Sequence, residues 1–160
     1  MTNFYAPYCA LTSGLFMTLF PAFWAYTRVT GNYRAHLSER LGVLPAEAMR
    51  TLSGRPRIWI HAVSLGEVKV AAAIVKSLKP MVPGASFIVS TMTEHGRKMA
   101  IDTFGEEAPV IYAPFDVIFS VRKALSSLRP DIMVFLETEI WPSWLFESRR
   151  MGIKTALING

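Results

Sequence analysis

The chain has 160 residues, enough for one domain with a core of its own. Hydrophobic residues make up 51 % of it, and the formal net charge is +5. Cys9 is the single cysteine, which excludes a disulfide within the chain and a cysteine-built zinc site.

The first element is apolar. From Met1 to Thr27 there is no Asp, Glu, Lys or Arg. The run "FYAPYCALTSGLFMTLFPAFWAY", Phe4 to Tyr26, is 23 residues long, and a membrane-spanning helix needs about 20. Aromatics crowd both ends, Phe4, Tyr5 and Tyr8 at one and Phe20, Phe23, Trp24 and Tyr26 at the other, in the manner of interfacial belts. Pro7 sits in the first turn, and Pro21 is expected to kink the helix. A tilted, kinked span and a half-inserted anchor both fit. A cleaved signal peptide fits less well, because no positive start precedes the apolar run. A buried helix of a soluble core also fits less well, since such a helix usually carries polar residues on one face. Residues 1–30 are therefore expected to form a membrane anchor.

Between Arg28 and Arg57 lie six arginines (Arg28, Arg34, Arg40, Arg50, Arg55, Arg57) and two acids, Glu39 and Glu47. Basic residues just after an apolar segment mark the cytoplasmic side and attract anionic lipid head groups. The pI of about 9.6 also fits nucleic acid. The excess sits beside the apolar run, however, which favours an anionic membrane surface and no nucleic acid. "YRAHLSERLG" reads as a short amphipathic helix closed by Gly42. The rest of the stretch 31–56 reads as a linker.

From Arg57 to the end, strands and helices alternate. "RIWIHAV", "SFIVST", "PVIYA", "DIMVFLE" and "IKTALIN" read as strands. Helices are expected over Glu67–Leu78, Glu94–Phe104, Asp116–Leu128 and Pro142–Met151. Near-continuous apolar strands are covered on both faces, as in a parallel sheet. The pattern predicts an α/β fold over 57–160, an open, doubly wound parallel sheet with right-handed crossovers. The ligand crevice then lies at the carboxyl ends of the strands. The loops there are "SLGE" (64–67), "TMTEHG" (91–96), "APFD" (113–116) and "ETEIWP" (137–142). No GxGxxG and no P-loop is present. The chain stops directly after the fifth strand, where another loop should follow, so a piece of a longer protein is expected.

Ser64 and Glu67 match the capping box S-x-x-E, as do Thr91 and Glu94. On spacing alone, capping is the favoured reading of both pairs. Glu67 also stands at the mouth of the expected crevice, where a carboxylate can act as a general base. Gly66 lets a ligand or a backbone come close. His61, inside a strand, reads as a satisfied core histidine. Glu137 and Glu139 flank Thr138, and in an extended loop they face the same way. Two like charges so close raise one pKa or need a cation between them, which favours function. The plainer reading is that both cap the helix opened by Pro142. Trp141 and Trp144 read as packing. "TMTEHGRK" supplies Thr91, Thr93, Arg97 and Lys98 around a helix start, an anion-binding pattern that can equally be a solvated helix face.

Six motifs in order, "RLG" (40–42), "WIHAVSLGE" (59–67), "STMTEHG" (90–96), "YAPFD" (112–116), "ETEIWP" (137–142) and "ING" (158–160), resemble the amino-terminal half of the bacterial 3-deoxy-D-manno-octulosonic acid (Kdo) transferases. The resemblance covers essentially the whole chain, the anchor included. It implies a GT-B glycosyltransferase with two Rossmann-like domains, working at the cytoplasmic face of the bacterial inner membrane. It implies CMP-Kdo as donor and a lipid A precursor as acceptor, in lipopolysaccharide synthesis, with inversion and with neither cofactor nor catalytic metal. Glu67 becomes the general base by this resemblance, and Glu137 helps to stabilise the transition state. Ser64, Gly66, Thr91, Thr93, Arg97 and Glu139 are then expected around the acceptor. Arg34, Arg40, Arg97 and Lys98 are expected to edge the crevice by charge and position. The donor domain falls outside this sequence, so the 160 residues alone are expected to bind acceptor or membrane and transfer little sugar. The alternative is a non-catalytic, membrane-tethered α/β module that holds lipid or a partner.

Overall fold

A computed structural model describes residues 4–31, 36–137 and 141–158. In chain order the elements are α1 (Tyr5–Thr30), α2 (Leu37–Arg40), α3 (Ala46–Arg50), β1 (Arg57–His61), α4 (Leu65–Leu78), β2 (Ser86–Thr91), α5 (Glu94–Phe104), β3 (Val110–Tyr112), α6 (Ile118–Leu128), β4 (Ile132–Leu136), α7 (Pro142–Arg150) and β5 (Lys154–Ile158). All five expected strands form, and the four helices expected between them form within about two residues of their expected starts, while the helix expected over 33–42 is described only as the short α2.

The strands are all parallel, in the order β3-β2-β1-β4-β5. Side chains alternate between the two faces of the sheet. Trp59, Ile88, Ile111, Met133 and Phe135 enter one core. Ile58, Ile60, Phe87, Val89, Val134 and Leu136 enter the other. Val68, Ala71 and Val75 of α4 and Ala100 and Phe104 of α5 cover the second face. Val121, Ala124, Leu125 and Leu128 of α6 and Trp144 of α7 cover the first. Strand order reverses between β1 and β4, and the helices change face there, as a single crossover hand requires. This is the doubly wound, Rossmann-like arrangement. β5 forms an outer edge of the sheet, and each of its residues is exposed.

The stretch read as linker is packed. Residues 46–50 form a helical turn, and Ala48 and Leu52 enter the first core. The Arg57 guanidinium donates to the carbonyls of Leu52 and Leu128, both at 2.7 Å, which fastens this stretch to the end of α6. Gly42 follows α2 with φ +81°, and a Cβ there would run into the Ser120 carbonyl oxygen. Only glycine meets both demands.

α1 is long and apolar enough to cross a membrane, by length and composition. Pro21 lies inside it, and the helix continues through that residue. The helix does not stand clear of the domain. Tyr5, Tyr8, Thr12, Phe16, Phe20, Phe23 and Thr27 are partly or fully covered, at the three- and four-residue spacing of one helix face. The Tyr5 hydroxyl donates to Glu147 Oε1 at 2.8 Å, and its ring stacks on Phe146 with centroids 4.2 Å apart. Tyr8 donates to Asp116 Oδ2 at 2.6 Å. Phe16 packs on Phe115 and Phe119, and Phe23 on Phe115.

Candidate active site

The crevice edge begins with the loop between β1 and α4. Ser64 is extended, φ −114° and ψ 169°, and forms the N-cap of α4. Its Oγ accepts from Glu67 N–H at 3.4 Å. Glu67 reaches back: Oε1 accepts from Ser64 N–H at 3.2 Å and Oε2 from Val63 N–H at 2.8 Å. Both halves of the capping box are therefore present. The Glu67 side chain is buried as a result, at 4 % exposure. Gly66, beside it, is exposed, and a Cβ there would meet only Ser64 Oγ, at 3.8 Å. Space above the first turn of α4 is open.

The next loop, between β2 and α5, corrects one expectation. Thr93, and not Thr91, caps α5, with Oγ1 accepting from Gly96 N–H at 3.0 Å. Thr91 belongs to β2, pairs with Tyr112 of β3 and is fully buried. A Cβ on Gly96 would lie 2.8 Å from Thr93 Oγ1 and 3.4 Å from the Val63 carbonyl. Gly96 thus lets the first turn of α5 close onto the loop that carries Ser64 and Glu67.

Beside these loops lies a pocket of about 830 Å³. Tyr26 and Gly31, at the end of α1, bound one side, and Thr93, Arg97 and Lys98 of the α5 start bound another. Glu39 organises its wall. This carboxylate is buried and accepts from Arg97 Nη1 at 2.6 Å and from Tyr112 N–H at 2.7 Å, while His36 Nδ1 lies 2.8 Å away. Arg40 and Arg97 sit over the Tyr112 ring, at 4.4 Å and 4.6 Å from its centroid. Arg40 also donates to the Met92 carbonyl at 2.8 Å. Burial pushes the Tyr112 phenol up, and the two arginines oppose that push. Arg97, expected as an anion ligand, is therefore already paired with an acid. Lys98 stands exposed on the rim.

The loop after β4 carries the second carboxylate. β1 and β4 are neighbours across the reversal of strand order, so Glu67 and Glu137 flank the switch point where α/β sheets bind ligands. Glu137 is exposed, has φ +59°, and donates its backbone N–H to the Ile158 carbonyl at 2.8 Å. The extended backbone assumed for Glu137 and Glu139 is not found at Glu137, which is left-handed. Glu139 lies outside the described residues, as does Arg34. A non-glycine residue held in this conformation is strained, a condition that clusters at functional sites.

Beneath the crevice, His61 is 1 % exposed, with Nδ1 2.9 Å from Ser90 Oγ. Ser90 Oγ also accepts from the Trp59 indole at 2.8 Å. Trp144 packs on Trp59 and on His61, with ring centroids 5.0 Å apart in both cases. Burial lowers the His61 pKa to about 4, against a weaker opposing contribution from Ser90. The ring is a neutral core group, and its Nε2 has no hydrogen-bond partner among the described residues.

Sequence reasoning did not single out Glu39 or Tyr112. The available signal for Glu39 was its place as one of two acids among six arginines. Tyr112 lay within a motif but carried no charge to mark it.

A family profile described as 3-deoxy-D-manno-octulosonic-acid transferase (kdotransferase) matches residues 35–160. The chain is 30 % identical over 137 residues to a 3-deoxy-D-manno-octulosonic acid transferase of Chlamydia pneumoniae, covering 82 % of this chain and 30 % of that protein. It is 32 % identical over 127 residues to the transferase of the same name from Haemophilus influenzae, covering 79 % and 29 %. Rickettsia felis has another, 32 % identical over 116 residues and covering 72 % and 24 %. The chain spans less than a third of the length of these relatives.

Proposed function

Because this chain belongs to the 3-deoxy-D-manno-octulosonic acid transferase family, we propose that it is the acceptor-side domain of a glycosyltransferase. The reading has Kdo moving from CMP-Kdo to a lipid A precursor at the cytoplasmic face of a bacterial inner membrane. One observation carries it for this chain. The pocket of about 830 Å³ is bounded on one side by the end of an apolar helix and on another by Arg40, Arg97 and Lys98, with Glu94 and Asp102 also in its lining. An acceptor with acyl chains and an anionic head needs those two surroundings side by side.

In this reading Glu67 takes the proton from the attacking acceptor hydroxyl. Each of its oxygens accepts one backbone N–H, and a carboxylate has about four lone-pair sites, so acceptor capacity remains. The same two N–H groups hold the carboxylate in a fixed orientation. The acceptor oxygen bonds to the anomeric carbon, the bond to CMP breaks on the opposite side, and the configuration inverts. Glu137, in the loop after β4, adds negative charge where the sugar becomes cationic. Ser64, Gly66, Thr93 and Arg97 border the acceptor from the two loops, while Thr91, buried in β2, supports them from beneath without touching it. The nucleotide sugar is held by the remainder of the protein.

The capping box favours a second reading, in which Glu67 only starts a helix and the domain binds without catalysing. Transfer from CMP-Kdo by the full-length protein and its Glu67→Gln variant separates the two. The first reading expects a loss of about 10²–10⁴-fold, the contribution of one general base. Near-normal turnover of the variant returns Glu67 to capping alone. No transfer by the unaltered full-length protein supports the binding module.

A further inference from the structure

We propose that α1 lies flat in one leaflet of an anionic membrane, held against the domain, and does not cross the bilayer. The inference starts from where its covered face makes contact. Tyr5 meets Glu147 at one end, and Thr27 is buried near the other. At 1.5 Å per residue those positions are roughly 33 Å apart, about the thickness of the hydrocarbon core. A helix that crossed while keeping these contacts would draw the domain in with it. Glu147, with Arg122 at 2.7 Å and Arg150 at 2.9 Å, and Asp116 beneath Tyr8 would then sit in hydrocarbon. Ionised groups there are costly and rare. The tyrosine bonds and a full crossing exclude each other.

The face turned from the domain fits a leaflet surface. Phe4, Leu11, Leu15, Met17 and Val29 are 85 %, 71 %, 57 %, 72 % and 87 % exposed. No acid occurs anywhere in the helix, and Arg28, over the Trp24 ring at 4.7 Å, is its single charge. Such an arginine–tryptophan pair suits the head-group region. Cations stand near both ends. At the Tyr5 end two partly exposed guanidiniums share the one Glu147 carboxylate. At the far end are Arg28 and the exposed Lys98. An uncharged face with basic groups at either end complements anionic lipid and repels no part of it. The pocket beside Tyr26 then opens at the level of the head groups.

The test uses the full-length protein without other cysteines, in sealed vesicles containing anionic lipid with the domain outside. Single cysteines replace Ala6 and Thr30, and a membrane-impermeant maleimide is added. Both positions are expected to label before the vesicles are permeabilised. Labelling at position 6 only after permeabilisation overturns the proposal. A Tyr5→Cys/Phe146→Cys crosslink locks α1 to the domain and is expected to leave vesicle binding unchanged, whereas a crossing helix would lose it. Leu11→Ser with Leu15→Ser is expected to lower partitioning about tenfold or more, from the apolar area lost. Unchanged partitioning of a variant with a native circular dichroism spectrum also overturns the proposal, and marks this face as one that meets protein.

Discussion

The Glu39 carboxylate and the Arg97 guanidinium meet at 2.6 Å, with 4 % and 15 % of their side chains exposed. The pair joins the segment after α1 to the first turn of α5, and the Tyr112 N–H adds β3 to the same carboxylate. Removing one member of such a pair leaves the other charge buried, at a cost of about 3–5 kcal/mol. Glu39→Gln is expected to lower stability by about 3 kcal/mol in urea denaturation followed by tryptophan fluorescence. With Arg97→Gln added, the two losses should fall well short of additive. Simple additivity would mean that the groups do not act as a unit.

Ser64 and Glu67 are bonded to each other but are expected to part company in assays. Ser64→Ala removes the acceptor for the Glu67 N–H and should cost about 1 kcal/mol of stability, with transfer by the full-length protein lowered far less than by loss of the base, and through acceptor KM. Glu67→Gln should do the reverse, losing transfer by a far larger factor than stability explains. Equal effects of the two variants on transfer would assign both residues to the cap.

Two glycines of the same crevice make opposite predictions. A Cβ on Gly66 meets open space, so Gly66→Ala should leave stability unchanged or raise it by about 0.5–1 kcal/mol, as Gly-to-Ala does in a helix. Any accompanying loss of acceptor affinity then reports a ligand over that turn. A Cβ on Gly96 lies 2.8 Å from Thr93 Oγ1. Gly96→Ala should displace the cap and cost about 1 kcal/mol or more. Thermal denaturation of both variants checks the contrast.

His61 sets a pH dependence. Its pKa falls from 6.5 to about 4 on folding. Between those values the unfolded chain binds a proton that the folded chain refuses, so stability rises with pH across that window. The contribution is complete above about pH 6.5, is lost as pH falls toward about 4, and amounts to about 3 kcal/mol. Asp116 works the other way. Burial raises its carboxyl, against bonds from Tyr8 and Ser143, so what it adds is present at low pH and lost as pH rises through its folded pKa. The comparison that isolates His61 is therefore with His61→Gln, whose stability should change less steeply between pH 6.5 and 4. Parallel curves would refute the assignment.

Glu137 holds a positive φ of 59° without being glycine. Relief of left-handed strain predicts that Glu137→Gly gains about 1 kcal/mol of stability, while transfer by the full-length protein falls. A variant both less stable and fully active would remove Glu137 from the site.

The sheet was readable because a parallel strand covered on both faces is an apolar run, and five such runs separated by helices allow few arrangements. The cap of α5 was harder. Thr91 matches the S/T-x-x-E spacing, but β2 needs Thr91 to pair with Tyr112, so the capping role passes to Thr93. Ala48 and Leu52 are too few to give a periodic signal, and the stretch holding them reads as linker although both are buried. Along α1 the lack of charge hides which face is covered. The tyrosine hydroxyls at positions 5 and 8 are the trace of it. Nothing in a sequence marks a glutamate that will turn left-handed, and the bond from Glu137 to Ile158 joins residues too far apart in the chain to be foreseen.

β5 has a practical consequence. It is an outer strand with Leu157 58 % and Ile158 36 % exposed, and among the described residues one row of its backbone groups faces no other strand. Such an edge recruits another strand of any origin. When these 160 residues are produced alone, at the concentrations that spectroscopy needs, copies should join along β5. A lysine at Leu157 is the first change to make to the expression plasmid.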